Sequence, residues 1–371
     1  MSSRRPAAIV IDRSRTRSWM RPDGRSILSD HAVDTVVVTD RPPGENHPLP
    51  ADPNVSLHLV EQLDLRTLLG VAERYAGRLL GVTTTSELFL HVAADVRQAL
   101  GLPGKSPDYV HRVRDKWAMK QTGRAGGVPI TEGYLASDID VHGLPASLGR
   151  SFMKPRSMSG ARGAREIHDA SDLARQLVAL GSEASGYLVE EFVDHPLFHL
   201  DGIVSEGTLD VLLSAYTRPP HTAGGRRPLG SWTQPEGPLT ARADQFMADV
   251  VRAWGLVDDV FHCEAFWTRD EFVLCEVAGR PGGAGVPEAY GIVRGTDLRW
   301  AKTVLDLGLP LGMLPSPPLR SCPAAGWLVM YEAPARDPDF AHFTGHLAAD
   351  IRSRAEVRVR GHSGVGNATF I

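Results

Sequence analysis

The stretch FHCEAFWTRDEFVLCEVAGRPGG, residues 261–283, holds two strand-like runs, FHCEAFW and EFVLCEV, on either side of Thr268, Arg269 and Asp270. Aromatic and β-branched residues fill both runs, and so short a spacer between them reads as a tight turn. With the turn centred on Asp270, Glu264 falls opposite Glu276 and both point to one face. Directly opposed residues in a hairpin have Cβ atoms about 4.5–5.5 Å apart, so two carboxylates there repel each other. Three arrangements relieve this: one acid takes up a proton, a divalent cation sits between them, or both face water on a solvated edge. Two acids with other positions open suit Mg²⁺ carrying nucleotide phosphates. Arg280 follows just past the second run, within reach of the same face, where a guanidinium can hold a carboxylate or a phosphoryl oxygen bidentately. Gly282 and Gly283 permit a close backbone approach or a sharp turn.

Upstream, SFMKPRSMSGARGAREIHD (151–169) reads as strand, glycine-bearing loop, strand. Lys154 stands at the strand end and faces a loop with Gly160 and Gly163, an arrangement suited to phosphate. It is not the GxxxxGK[ST] loop. HRVRDKWAMKQTGRAGG (111–127) is helical until its glycines and carries Lys116. YLVEEFVDH (187–195) is an extended segment whose backbone groups can meet a purine edge, while an acid accepts from the amino group or ribose. FHLDGIVSEGTLDVLLSAY (198–216) is a hairpin turning at Glu206-Gly207, and ARADQFMADVVRAWGL (241–256) is an amphipathic helix. Between them, residues 217–237 form a long loop rich in Pro, Gly and Arg; loops this long in compact domains are usually functional or disordered. It and the Met158–Gly163 loop are the lid candidates. Arg226, Arg227 and Trp232 are candidates for shaping a substrate pocket.

The first hundred residues alternate strand and helix. AAIVID (7–12), VDTVVVTD (33–40) and SLHLVEQ (56–62) fit buried parallel strands. DLRTLLGVAERYA (64–76), capped by Asp64, and LFLHVAADVRQALG (88–101) are helices flanking the strand of RLLGVTTTSE (78–87). No G-x-G-x-x-G follows AAIVID, which argues against a dinucleotide-dependent oxidoreductase. GLPGKSP (101–107) marks the first boundary.

The 371 residues suffice for two or three domains without covalent staples. The 3 cysteines lack CxxC spacing, which argues for a reducing compartment and against zinc. A net charge of -4, with both signs interspersed, gives no argument for nucleic acid or a membrane surface. The N-terminal apolar run is too short for a signal peptide, and no run of about 18 apolar residues exists. A cytoplasmic protein is expected.

In this order and spacing, the motifs resemble the ATP-grasp superfamily over most of the chain. Residues 81–130 carry a T-x-x-E turn, a helix, LGLPG, then R-D-K…M-K and GVP. FMKP with its glycine loop is similar to the second lysine strand, VEEFV to the adenine hinge, and FHCEAF with CEVAGRPGG to the metal hairpin. The resemblance implies an α/β and α+β fold in three parts. These are a Rossmann-like N-terminal domain (1–105), a central lid domain (106–190), and a C-terminal antiparallel-sheet domain with a small β-rich appendage (191–371). It implies that Lys116 and Lys154 contact ATP phosphates, and that Glu190, Glu191 and Val193 hold adenine. His199 or Asp201 would lie near the ribose or phosphates, and Glu264 and Glu276 would bind Mg²⁺, one or two ions, with Mn²⁺ as a substitute. Arg280, with Lys154, would stabilise an acyl phosphate and the tetrahedral intermediate. Many members have Asn two residues after the second metal glutamate; here Ala278 stands there, which puts a second ion in doubt. The style of EVAGRPGG is similar to the carboxylate–amine ligases, including L-amino acid ligases. The implied reaction is ADP-forming amide or peptide bond formation from small carboxylate and amine substrates in secondary metabolism, by a possible homodimer. Two alternatives are transfer of the acyl group to a carrier-protein thiol and a catalytically silent nucleotide-binding regulator. No general base identifies itself among His199, His221 and His262.

Overall fold

The computed structural model describes residues 5–13, 18–42, 52–140, 149–220, 229–314, 324–330, 357–362 and 365–370. Strands β1 (Ala7–Ile11), β2 (Asp34–Thr39), β3 (Val55–Leu59) and β4 (Leu79–Thr83) form a parallel sheet in the order β3-β2-β1-β4. β1 is buried throughout because both faces of its sheet are covered. Helices α1 (Leu65–Glu73) and α2 (Leu90–Leu100) cover one face. Trp19, Ile27 and Leu28, with Val304 and Leu307 from far along the chain, cover the other. Asp64 caps α1 as expected, accepting from the Thr67 amide at 2.8 Å.

The helix expected through 111–127 is two helices, α3 (Pro107–Arg112) and α4 (Lys116–Gly126). Ser106 caps the first, and Asp115 opens the second by accepting from the Ala118 amide at 2.9 Å. An aspartate that can bond the backbone ahead of it favours a new N-terminus over helix continuation. Tyr109, Val110, Val113 and Met119 pack into the core of the large C-terminal sheet.

A second sheet joins β5 (Gly133–Leu135), β6 (Ser151–Pro155), β7 (Arg165–Ile167) and β8 (Tyr187–Glu191), all antiparallel, in the order β5-β8-β6-β7. Helix α5 (Ala170–Leu180) packs Leu173 and Leu177 on Met153, Ile167 and Val189.

The third sheet is antiparallel and has 8 strands. They are β9 (Leu197–Ser205), β10 (Thr208–Tyr216), β11 (Leu229–Thr233), β12 (Asp259–Thr268), β13 (Glu271–Ala278), β14 (Gly326–Met330), β15 (Val357–His362) and β16 (Val365–Phe370), in the order β13-β12-β9-β10-β11-β14-β16-β15. Helix α6 (Pro238–Trp254) lays Phe246, Met247, Val250 and Trp254 on the face formed by Phe261, Cys263, Ala265, Leu274 and Val277. On the opposite face, α7 (Val286–Arg294) and α8 (Leu298–Leu305) cover Ile203, Leu212 and Val260. The rest of that face is a cleft beneath the second sheet. β11 lies within the stretch expected to be all loop, its five residues too few to show periodicity among prolines and glycines. His221, Arg226 and Arg227 lie outside the described residues. The section expected as a small appendage supplies β14–β16, which extend this same sheet.

The β12–β13 hairpin reaches the expected pairing by a different route. Arg269 and Asp270 have φ of 47° and 68°, a two-residue turn with both centres left-handed. That turn pairs Thr268 with Glu271 and would set Glu264 opposite Cys275. A bulge between Glu264 and Ala265 adds one residue to β13, so Ala265 pairs with Leu274 and Glu264 with Glu276. Cys275 and Glu276 therefore both face the cleft, while Leu274 and Val277 stay in the core. Among the described residues, no helix is long and apolar enough to cross a membrane.

Candidate active site

The cleft encloses a cavity of about 290 Å³ between the second and third sheets. Strand alternation supplies its floor: His262, Glu264 and Phe266 of β12 face it while Phe261, Cys263 and Ala265 face α6. Glu264 lies opposite Glu276 on one side and His199 on the other, and His262 lies opposite Asp201.

Glu276 is ionised despite its surroundings. Burial opposes the charge, but Lys116, Lys154, His262 and Arg280 outweigh it and hold the carboxyl down at about 2. Lys116 Nζ lies 3.4 Å from Glu276 Oε2. Tyr216 donates its hydroxyl to Glu264 Oε1 at 2.7 Å, and His262 Nε2 lies 3.7 Å from the same oxygen. Among the described residues, Tyr216 and Lys116 thus engage one oxygen of each acid, and the other oxygen of each is available to a hard cation.

Lys154, 5% exposed, pairs with Glu190 Oε2 at 2.7 Å. Burial works against its ammonium, yet the Cys275 sulfur, Glu190 and Glu276 prevail and raise it above its ordinary value. Lys120 takes the other side of Glu190, 2.8 Å from Oε1, and donates to Thr131 O and Oγ1 at 2.6 Å each. Burial lowers the Lys120 ammonium below its ordinary range, against the pull of Glu190. Gly133 makes this grouping possible: a Cβ there would sit 2.9 Å from Glu190 Cγ and 3.0 Å from Lys120 Cε.

Of the residues expected at adenine, Glu190, Glu191 and Val193 all line the cavity. The Glu190 carboxylate is held between two ammonium groups, and Glu191 Oε1 accepts from the Glu132 amide at 2.9 Å. His199 and Asp201, 2% and 1% exposed, lie beneath the floor rather than in the cavity wall. Asp201 contacts His199 Nδ1 and accepts from His262 Nδ1 at 2.7 Å, and His199 Nε2 lies 2.5 Å from Ser231 Oγ. Burial opposes ionisation of both His262 and Asp201. Asp201 and Glu264 raise His262 to about 10, and the two rings hold Asp201 at about 2. The ligand-type atoms of His199, Asp201 and His262 lie within 4.8 Å of one another, but the Asp201 carboxylate is already engaged by hydrogen bonds to both rings. Of the two readings of the glycines after Arg280, Gly282 takes the close approach: a Cβ there would fall 2.8 Å from His262 Nδ1 and 2.9 Å from Asp201 Oδ1. The glycine is needed for close approach, since its φ is not left-handed.

Arg280 lines the cavity, donates from Nη1 to Pro281 O at 2.6 Å and pairs through Nη2 with Glu87. The glycine loop closes the other wall, with Met158, Gly160 and Arg162 lining it, and Lys116 Nζ donates to Met158 O at 2.8 Å. Ala278, where the family's Asn would stand, is 7% exposed and pairs with His262. Trp232 is 50% exposed and lies outside the cavity wall.

Sequence reasoning gave no role to Lys120, Glu87, Arg114, Tyr216 or Cys275, although Glu87 ends the T-x-x-E turn and Arg114 and Lys120 stand in R-D-K…M-K. Lys120 was within reach, because it follows Lys116 by one helical turn on the same face. The others depend on contacts between distant segments.

A parallel N-terminal sheet, a small antiparallel sheet above a cleft and a large antiparallel sheet below it make this an ATP-grasp fold. No protein-family model matches the sequence. The chain is 29% identical over 327 residues to the uncharacterized protein y4rH of Sinorhizobium fredii, covering 82% of this chain and 64% of that one. It is 24% identical over 274 residues to the L-arginine-specific L-amino acid ligase of Bacillus subtilis, covering 71% and 65%. The chain thus spans just under two thirds of these curated relatives. The crystal structure of an L-amino acid ligase from Bacillus licheniformis superimposes with a TM-score of 0.71 at 16% identity, covering 100% of this chain and 93% of that one.

Proposed function

We propose that the chain is an ATP-dependent carboxylate–amine ligase that activates a small acid as its acyl phosphate, forms an amide or peptide bond and releases ADP and phosphate. The observation that carries this reading is the convergence on one cavity of two opposed acids, Glu264 and Glu276, with Lys116, Lys154 and Arg280. Five such groups from four segments line one cleft, and a regulator without turnover has little use for Arg280.

Lys116 and Lys154 hold the nucleotide phosphates, and the segment from Glu190 to Val193 meets the adenine. The two glutamates fit Mg²⁺ by their hard oxygens and shared face; when bound, the ion neutralises charge on the phosphates. The acid's carboxylate oxygen attacks the γ-phosphorus, and the bond to ADP breaks. The amine then attacks the acyl carbon, phosphate leaves, and the amine gives up a proton. Arg280 stabilises the developing oxyanions bidentately. The Met158–Gly163 loop excludes water, which would otherwise hydrolyse the acyl phosphate. Amino acids are the proposed substrate class, in secondary metabolism, with a cytoplasmic homodimer as the working form.

A screen of paired amino acids for ATP-dependent ADP release, with mass spectrometry of the product, tests this. A condensed product formed one-to-one with ADP is expected. ADP release only with a carrier protein would replace the amine by a thiol acceptor, and nucleotide binding without turnover on any pair would overturn the reading.

A further inference from the structure

Glu87 stands where three parts of the chain meet. It follows the end of β4 in the N-terminal unit, and its carboxylate is shared by two guanidiniums. One is Arg114, from the break between α3 and α4; the other is Arg280, past the end of β13. Arg114 also donates from Nη2 to Ser157 O at 2.9 Å, at the root of the loop that closes the cavity. The group is shielded, with side-chain exposures of 16% for Glu87, 6% for Arg114 and 14% for Arg280. Two guanidiniums so close and so poorly solvated repel each other unless an anion lies between them. Arg280 Nη1 is tied to Pro281 O and Nη2 to Glu87, so the guanidinium plane is fixed. Its Nε, buried and without a hydrogen-bond partner among the described residues, is left to donate together with the second N–H of each Nη.

We propose that Glu87 is a positioning residue: by bridging Arg280 and Arg114 it aims Arg280 into the cleft and couples that aim to closure of the loop at Ser157. This rests on the role given to Arg280 above. Glu87 touches no reacting atom; it holds two like charges side by side and lets the loop and the arginine settle together. Replacing its charge with a neutral amide frees Arg280 to swing away from Arg114 and loosens the loop's hold on Arg114.

The test compares the parent chain with Glu87→Gln and Glu87→Asp in three measurements. These are ADP release at saturating ATP and acid, ATP affinity by calorimetry, and the rate of tryptic cleavage after Arg162 with a non-hydrolysable ATP analogue bound. Glu87→Gln is expected to lower turnover by about 10²-fold, the scale of a 1 Å misplacement, and to speed cleavage after Arg162, with ATP affinity near the parent's. Glu87→Asp, which keeps the charge, regains part of both losses. Parent-like turnover and cleavage in Glu87→Gln would overturn the proposal. So would a loss of ATP affinity equal to the loss of turnover, which marks a general structural role. If the parent itself releases no ADP with any acid, the ligase reading fails, and cleavage after Arg162 still decides whether Glu87 governs the loop.

Discussion

Glu276 and Glu264 carry opposite burdens. Glu276 is surrounded by cations that keep it charged, whereas Glu264 is steadied by a phenol and an imidazole. Under the proposed function, Glu276→Gln or Glu264→Gln removes one anchor for a cation whose charge counts most while phosphate is being transferred. Either change should lower ADP release by roughly 10²–10³, the scale for losing one preorganised electrostatic group; steady-state assays at saturating ATP read this directly. Tyr216→Phe deletes only the hydroxyl on Glu264 and keeps the ring. Partners that orient a metal ligand are worth about 10–100-fold in metal affinity, so Mn²⁺ titration followed by electron paramagnetic resonance should show weaker binding in that range. At this scale the acids, lysines and arginine that line the cavity were singled out in the sequence by their order and spacing, since each alone reads as an ordinary surface charge. Their partners did not stand out. Tyr216 and Glu87 look like ordinary residues until folding brings segments 48 and 193 residues apart into contact.

The hairpin shows how much an element adds to its residues. Alternation in FHCEAFW and EFVLCEV made the two strands and their shared face legible, since a one-residue slip would put Glu264 in the core. The bulge was not legible: a turn centred on Asp270 and a two-residue turn followed by an extra residue give the same pairing of Glu264 with Glu276. Deleting Cys275 distinguishes them. The ladder would run straight, with Leu274 and Val277 still inward and Glu276 still opposite Glu264, so the chain should fold. The bulge's added twist, which aims Glu276, would be lost. Turnover is expected to fall at least about tenfold, a modest part of the cost of misplacing a reacting group, while the far-ultraviolet circular dichroism stays that of the parent. Aggregation or loss of the sheet signal would show that the pairing depends on Cys275. The break before α4 and the strand β11 escaped the sequence for related reasons. Each is a local choice, between capping and continuing or between loop and short strand, that packing decides.

Across the whole molecule, the parts are fastened by a buried charge cluster that lies outside the cavity wall. Lys302 of α8 lies 2.7 Å from Asp259 Oδ1 and from Asp306 Oδ1. Thr83 of β4 donates to Asp306 at 2.9 Å, and Tyr109 of α3 to Asp259 at 2.6 Å. Burial alone would lower the Lys302 ammonium, but the two aspartates raise it above its ordinary 10.5. A raised folded value contributes stability that is fully present below about 10.5 and is lost as pH climbs through the higher folded value. Unfolding midpoints followed between pH 7 and 11 should therefore fall more steeply above about 10.5 in the parent than in Lys302→Met. At pH 7, Lys302→Met strands two buried carboxylates and should cost about 3–5 kcal/mol in denaturant unfolding. The three-part architecture was implied by the resemblance that the ordered motifs carry, whereas this joint was not, since nothing in α8 announces that it roofs the N-terminal sheet.

The proposed chemistry leaves an isotopic mark. An acid carrying ¹⁸O in its carboxylate, incubated with ATP, the amine found in the screen and the parent chain, should yield ADP together with phosphate that carries one ¹⁸O for each amide formed. Unlabelled phosphate, or AMP in place of ADP, would contradict activation of the acid as an acyl phosphate in this cleft.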